Sequence, residues 1–374
     1  MKKLFFFIAA VAVTMTANAA IINGTPNGEE RGRVNWWVNG EGQAQAGDTI
    51  VLADGVYYES TLTIEKDVVI MAAEGAKPEI NIARVYGCVK LAGPASVTFD
   101  GITFNGNDSV KYMIAVTGAD VKKLTVNNCE FKNWTYWAIS NQFEKGASID
   151  SVIVENSVFH DGLGSAVRFS DEAPEGKHAC NYLKVANSTL YNITSTDYAA
   201  IIQANSNGEA TGEQNEIIID HITLYNFDAS DLGAIAMRKS SKLTISNSII
   251  ATPENKDQYA FYIYGGNVDN TLYFNGKAKS GPAYNNCLTV DPLFVDAANG
   301  NFALAKGSPA LGAGTDGSNL GDPRWNAPAE DDDDTTTSVE NTTVANQAQK
   351  IIRNGQILII NNGVEYNVLG AVAK

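Results

Sequence analysis

Between Val97 and Thr252 a ten-residue phrase recurs six times, with apolar residues held at its first, third and eighth positions. The copies read VTFDGITFNG from Val97, LTVNNCEFKN from Leu124, VIVENSVFHD from Val152, LKVANSTLYN from Leu183, IIIDHITLYN from Ile217 and LTISNSIIAT from Leu243. Their starts are 27, 28, 31, 34 and 26 residues apart, so each copy is one unit stacked on the next. Positions one and three (Val97 and Phe99, Leu124 and Val126, Val152 and Val154) alternate with period two and favour β-branched residues, the mark of a strand with one buried face. Position eight returns an apolar plug: Phe104, Phe131, Phe159, Leu190, Leu224 or Ile250. A second strand begins at Ala138, Ala166, Ala200, Ala234 and Ala260, with Ile139, Val167, Ile201, Ile235 and Phe261 next to face inward. No stretch sustains the i, i+3, i+4 pattern of a helix. The pattern predicts an all-β solenoid, a single-stranded parallel β-helix.

Position five holds Asn128, Asn156, Asn187 and Asn247, and continued alternation places them inward. A buried amide without partners costs roughly 1–3 kcal/mol, a cost that stacked amides avoid by donating from coil to coil. The expectation is therefore an internal asparagine ladder, aided by the tolerance of asparagine for left-handed corners. His221 replaces the asparagine in the fifth copy and is expected to be an interior, satisfied histidine. Of the cysteines Cys88, Cys129, Cys180 and Cys287, Cys129 aligns with Ser157, Ser188 and Ser248. It reads as a small packed residue, and no disulfide framework is implied. Open coil ends need blunting. Ile21 to Gly47, with Trp36 and Trp37, is the expected first cap, and Asp291 to Trp325 the closing one.

Beyond the solenoid the chain changes character. Lys2 and Lys3, the apolar run Leu4 to Val13 and the small-x-small site Ala17-Asn18-Ala19 read as a signal peptide over 1–19. The solenoid with its caps occupies 20–327, an acidic and threonine-rich linker 328–349, and a hairpin segment 350–374 built around Asn361-Asn362-Gly363. The net charge of −15 becomes −17 once 1–19, with two lysines and no acids, is removed. So acidic a chain has no basic patch for nucleic acid, and no other segment is apolar enough to span a membrane.

AGDTIVLADGVYYES from Ala46 resembles the first coil of alginate lyase and chondroitinase B relatives, in the pectate-lyase-like superfamily of secreted right-handed β-helix proteins. DPLF at Asp291, GSPALGAG at Gly307 and GDPRW at Gly321 resemble uncharacterised exported β-helix families of Bacteroidetes. IIRNGQILIINNGVEYNVLG from Ile351 is similar to the sorting segment used by the type IX secretion machinery, which implies delivery outside the cell or to the outer-membrane surface. In the alginate lyase group a lysine and an arginine on adjacent coils act together. Gly233-Ala-Ile-Ala-Met-Arg238 resembles the strand that ends in that arginine, which makes Arg238 the matching residue. Asn205 stands where the lysine is expected, so the resemblance implies a degenerate or differently active relative.

Candidate chemistry otherwise lies on the outer face. Position nine gives Lys132, His160, Tyr191 and Tyr225 on consecutive coils, an expected exposed column. His160 is the candidate acid or base. Asp161 follows it, and strand alternation would point that carboxylate the other way. Arg168, Tyr262 and Tyr264 are outward on the second strand, with Trp134 and Trp137 near it. Aromatic rings and arginines suit sugar faces and carboxylates, so these residues are expected to bind polysaccharide. His178 is expected to be an unpaired loop residue, and Asp171 and Glu172 a solvated turn. Calcium is possible in principle, but Asp100, Glu155 and Asp220 fall on alternate coils, about 10 Å apart, too far to share one ion; no cofactor or metal is expected. The leading expectation is a polysaccharide-engaging surface protein, with a uronate lyase or an adhesive structural protein as alternatives.

Overall fold

The computed structural model describes residues 19–26, 32–40, 43–82, 89–141, 146–169, 173–195, 199–204, 215–229, 232–237, 242–255, 257–326, 349–353, 356–361 and 364–367. The chain divides into two compact units, Met1–Ala329 and Glu330–Lys374. The first is a parallel β-solenoid with three walls. The first wall stacks the strand at phrase positions one to four, with Val97 beside Leu124, Val152, Leu183, Ile217 and Leu243. The middle wall stacks positions seven to nine. The third is a separate nine-stranded parallel sheet running from Leu62–Ile64 to Lys277–Ala278. Coils without the phrase extend the stack at both ends, through Asp48–Leu52 and Val68–Ala72 before it and Asn267–Asp269 after it.

The core follows the phrase. Positions one, three and eight are buried in all six copies, and Phe131 lies stacked between Phe104 and Phe159 at 4.7 and 4.6 Å between ring centroids. The corners depart from expectation. Gly101, Asn128, Asn156, Asn187, His221 and Asn247 all have φ between 48° and 73°, a left-handed conformation that asparagine and glycine enter most cheaply. Such a residue turns the chain and restarts the alternation, so position six faces the interior. Asn128 is exposed. Its amide donates to Asp100 Oδ1 on the previous coil at 3.0 Å, as Asn156 donates to Asn127 Oδ1 at 2.8 Å and Asn247 to Asp220 Oδ1 at 3.0 Å. The asparagine bonds thus run along a corner and reach position four of the coil before. The polar stack inside is made of hydroxyls. Cys129 N donates to Ser157 Oγ, Ser157 N to Ser188 Oγ and Ile222 N to Ser248 Oγ, at 3.1–3.2 Å. Each serine hydroxyl donates in turn to a carbonyl of its own corner. Cys129, Cys180 and Cys287 carry free thiols, and Cys129 packs in the column as expected; Cys88 lies outside the described residues.

On the third wall Val167 pairs with Ile202, which pairs with Ile235. The fourth coil is therefore offset by one residue from the expected Ile201, and both isoleucines are buried. The first coil is capped by the helix Val34–Asn39, whose Val34, Trp37 and Val38 are buried over it. Asp291 to Trp325 does not plug the far end. It folds back along the outside of the middle wall as a flap, through the antiparallel strands Phe294–Asp296 and Asn301–Leu304. In the second unit three antiparallel strands, Gln349–Arg353, Gln356–Asn361 and Val364–Asn367, form a small sheet, one strand more than the expected hairpin. Asn362 and Gly363 lie outside the described residues, as does the segment 1–18. No described helix is long and apolar enough to cross a membrane.

Urea denaturation tests both determinants of the coil. Phe131→Ala, which empties the middle of a ring stack, is expected to cost about 3–5 kcal/mol. Asn128→Ala, at an exposed left-handed corner, is expected to cost about 1–2 kcal/mol, while Asn128→Gly stays near wild type. Equal effects of alanine and glycine would show that backbone conformation is not what position five supplies.

Candidate functional site

Between the two corners of each coil only positions seven and nine point outward. Register brings Lys132, His160, Tyr191 and Tyr225 into the expected column. His160 is held at both ring nitrogens: Nδ1 lies 2.7 Å from Asp161 Oδ2 and Nε2 lies 2.8 Å from Glu130 Oε1. Asp161 reaches it because its φ of 52° turns the backbone, which overrides strand alternation. Thr103 Oγ1 donates to the other oxygen of Glu130 at 3.0 Å, and Asn192 donates to Asp161 at 3.1 Å. Burial pulls the His160 pKa down, but the two carboxylates outweigh it and hold the ring above its ordinary value. The bond to His160, aided by Thr103, offsets burial at Glu130 and lowers its pKa to about 2. The result is a ring fixed between two carboxylates, which favour its protonated form, and stacked on Tyr191 at 5.0 Å. With both nitrogens committed, His160 is not a free acid or base. It also stands on the middle wall, whereas the strand Ile235–Met237 leading to Arg238 is on the third; Arg238 and Asn205 themselves lie outside the described residues, as do Asp171 and Glu172.

The column is not open along its length. Tyr191 packs against Phe302 at 5.3 Å, and Tyr225 against Phe294 and Phe302 at 5.6 and 5.5 Å. Asp322, 2 % exposed, pins the flap. It accepts from Thr189 Oγ1 at 2.7 Å and from Arg324 Nε at 2.6 Å, and its backbone N–H donates to Thr223 Oγ1 at 3.0 Å. Trp325 Nε1 donates to Thr189 Oγ1 at 2.8 Å. Tyr191 and Tyr225 are therefore partners of the flap, each left partly exposed. Trp134 is corrected as a sugar platform. It is fully buried, edge-on to Phe159 at 6.4 Å, and a Cβ at Gly162 would meet its ring at 2.2 Å, so the site admits only glycine.

The third wall keeps its rings outside. Register runs Arg168, Gln203, Ala236, Tyr262 along one column, whose middle members Gln203 and Ala236 are buried. At one end the Arg168 guanidinium lies 4.5 Å over the Trp137 ring, beside Tyr136 and Tyr112, although Trp137 is itself only 6 % exposed. At the other end Tyr262 and Tyr264 meet at 5.7 Å, and Lys279 Nζ sits 4.2 and 4.3 Å from their centroids. Tyr264 is 46 % exposed. Lys279 escaped sequence reasoning because its coil lacks the phrase. Glu130 was discoverable, since position seven of one coil lies diagonal to position nine of the next.

The remaining candidates are engaged. His221 is a corner residue outside the core, with Nδ1 2.9 Å from Asp220 Oδ2 and Nε2 3.2 Å from Ser318 Oγ in the flap. His178 is buried and partnered, not a free loop residue. Asp100 accepts from Asn128, Glu155 pairs with Lys184 at 2.6 Å, and Asp220 with His221. Among the described residues no group of three His, Cys, Asp or Glu is placed to hold a metal ion.

The His160 network has a defined pH signature. A raised histidine pKa contributes stability that is full below the unfolded value of about 6.5 and lost as pH rises through the folded one. The lowered Glu130 pKa contributes above the unfolded value of about 4.3 and is lost as pH falls towards 2. The difference in thermal midpoint between wild type and His160→Gln should therefore be widest between about pH 4.3 and 6.5 and shrink on both sides. A difference that stays constant from acid to alkaline pH would rule out an ionic network.

Residues 217–325, the last repeats together with the flap, match a family described as Domain of unknown function (DUF5123). No curated protein matches the chain. Among solved structures it is similar to the PL6 family alginate lyase AlyGC, with TM-score 0.46 and 16 % identity over 73 % of this chain and 39 % of that one. It is also similar to the pectate lyase Pel9A, with TM-score 0.40 and 12 % identity over 83 % of this chain and 97 % of that one. The chain thus spans well under half the length of the alginate lyase.

Proposed function

We propose that this is an exported β-solenoid protein that binds polysaccharide on the outer face of its third wall and does not cleave it. The observation that carries the reading is the pair of tyrosines gathered around Lys279, Tyr264 exposed and Tyr262 partly so, with the Trp137–Arg168 stack on the same sheet. Rings offer flat apolar faces to sugar C–H groups, and a cation beside them offers donors to hydroxyls or carboxylates. Fixed rings lose little entropy on binding. The non-catalytic part rests on His160, whose nitrogens are both committed and whose wall is a different one. Export rests on the sequence of 1–19, and surface delivery on the likeness of the tail to a sorting segment.

Native-gel retardation against a panel of neutral and uronate polysaccharides tests the reading, with ultraviolet absorbance of an unsaturated uronate followed in parallel. Retardation without new absorbance is expected. Loss of one ring contact, roughly 0.5–1.5 kcal/mol, predicts that Tyr264→Ala weakens retardation about two- to tenfold. Tyr225→Phe, beneath the flap, should leave it unchanged. Rising absorbance would replace the binder with a lyase, and indifference to every glycan would remove polysaccharide altogether.

A further inference from the structure

Strand Gly55–Glu59 buries Tyr57 and Glu59 while Val56 and Tyr58 stay exposed. Glu59, 2 % exposed, thus sits on the inward parity of the first coil, where its neighbour on the next coil is Ile82. An acid in an apolar stack needs donors. The capping helix supplies two, the backbone N–H of Asn35 to Oε1 at 3.1 Å and that of Val34. They do not suffice: burial outweighs them and raises the Glu59 pKa to about 7. Beside the carboxyl lies a cavity of about 190 Å³, lined among others by Arg33, Asn35, Trp36, Asn39 and Thr61. The cap does not require that space. Its helix is already anchored by Val34, Val38 and Trp37, the last edge-on to Tyr57 at 5.9 Å, and its carboxyl end accepts from Lys66 Nζ at 2.8 Å.

The lining is indole on one side, with hydroxyls, amides, the Glu59 carboxyl and the Arg33 guanidinium around it. Such a mixture suits a molecule with an apolar face and a rim of hydroxyl groups, and the guanidinium and carboxyl offset each other in charge, so the lining selects no anion. At roughly 30 Å³ per water, the volume holds the equivalent of about six waters, the bulk of one hexose. We infer that the cavity between the capping helix and the first coil binds a single neutral sugar unit, held by Glu59, Asn39 and Thr61 with Trp36 against its face. This site is separate from the third wall and does not require it. The wall would take the length of a polymer, and the cavity one terminal or free ring.

Saturation-transfer NMR with D-glucose, D-galactose, D-mannose and D-glucuronate on the full chain provides the test. At least one neutral hexose is expected to bind in the millimolar range and glucuronate not to bind. Thr61→Val, nearly isosteric, should weaken that binding about tenfold with an unchanged thermal midpoint, showing that the cap is intact; Asn39→Ala, which also removes the bonds to Asn35 Oδ1 and Thr63 O, should weaken binding and lower the midpoint. Tyr264→Ala should leave hexose binding as it is, and neither cavity variant should alter retardation by polysaccharide. Absence of binding by all three neutral hexoses would overturn the inference, as would preference for glucuronate. Loss of hexose binding in Tyr264→Ala would assign the sugar to the wall instead.

Discussion

Everything in this solenoid depends on corner residues that can hold a positive φ. Position five does so in all six repeats, and Asn133, Asp161, Asn192 and Asn226 do so at position ten of four of them, at 51–60°. A β-branched residue would resist that conformation at each corner, which explains why the phrase carries Asn, Asp, Gly and one His there. Two corners five residues apart leave four residues between them, of which positions six and eight face inward, so the middle wall can present only two outward side chains per coil. The amides that turn the chain also bond between coils, Asn226 to Asn192 at 2.7 Å and Asn192 to Asp161 at 3.1 Å. Conformation and cohesion come from the same residues.

The same rule separates what the sequence discloses from what it hides. Period-two alternation is local, so the buried positions one and three, and the stacked plugs of position eight, are legible at once. Alternation fails wherever a left-handed residue intervenes. Counting through Asn128 as if it were extended puts the amide inside and misses the hydroxyl stack of Ser157, Ser188 and Ser248. Counting through Asp161 separates it from His160, which it in fact clamps. The one-residue offset at Ile202 is a third case, because Ile201 and Ile202 are equally apolar and hydropathy cannot choose between them. The flap was illegible for another reason. Its contacts join Asp322 to Thr189 and Thr223, and nothing periodic relates residues so distant along the chain.

The two ends of the stack are treated differently, and this decides which wall the flap covers. A helix closes the first coil at its mouth. After the last coil the chain turns back along the middle wall, where Leu304, Ala310 and Leu320 build a small satellite core with Ile249, Ala251 and Leu272. Outward positions seven and nine of the later coils become apolar to match. The aromatic column thus answers a packing need, while Tyr264, 46 % exposed, stands on the other sheet.

If the third wall binds sugar as proposed, an acidic protein must place its cations there with care. Here Lys279 is held between Tyr262 and Tyr264, and Arg168 lies over the largely buried Trp137. Each exposed contact contributes only about 0.5–1 kcal/mol, too little to matter much for stability. Its larger effect is to fix a long, flexible side chain before any ligand arrives, so that less ordering is left for binding itself. The long-range field of the chain repels polyanions, and salt weakens that repulsion within about 8–10 Å at ordinary ionic strength. Attraction on this wall must therefore come from contact, from rings and held donors at short range, rather than from steering at a distance.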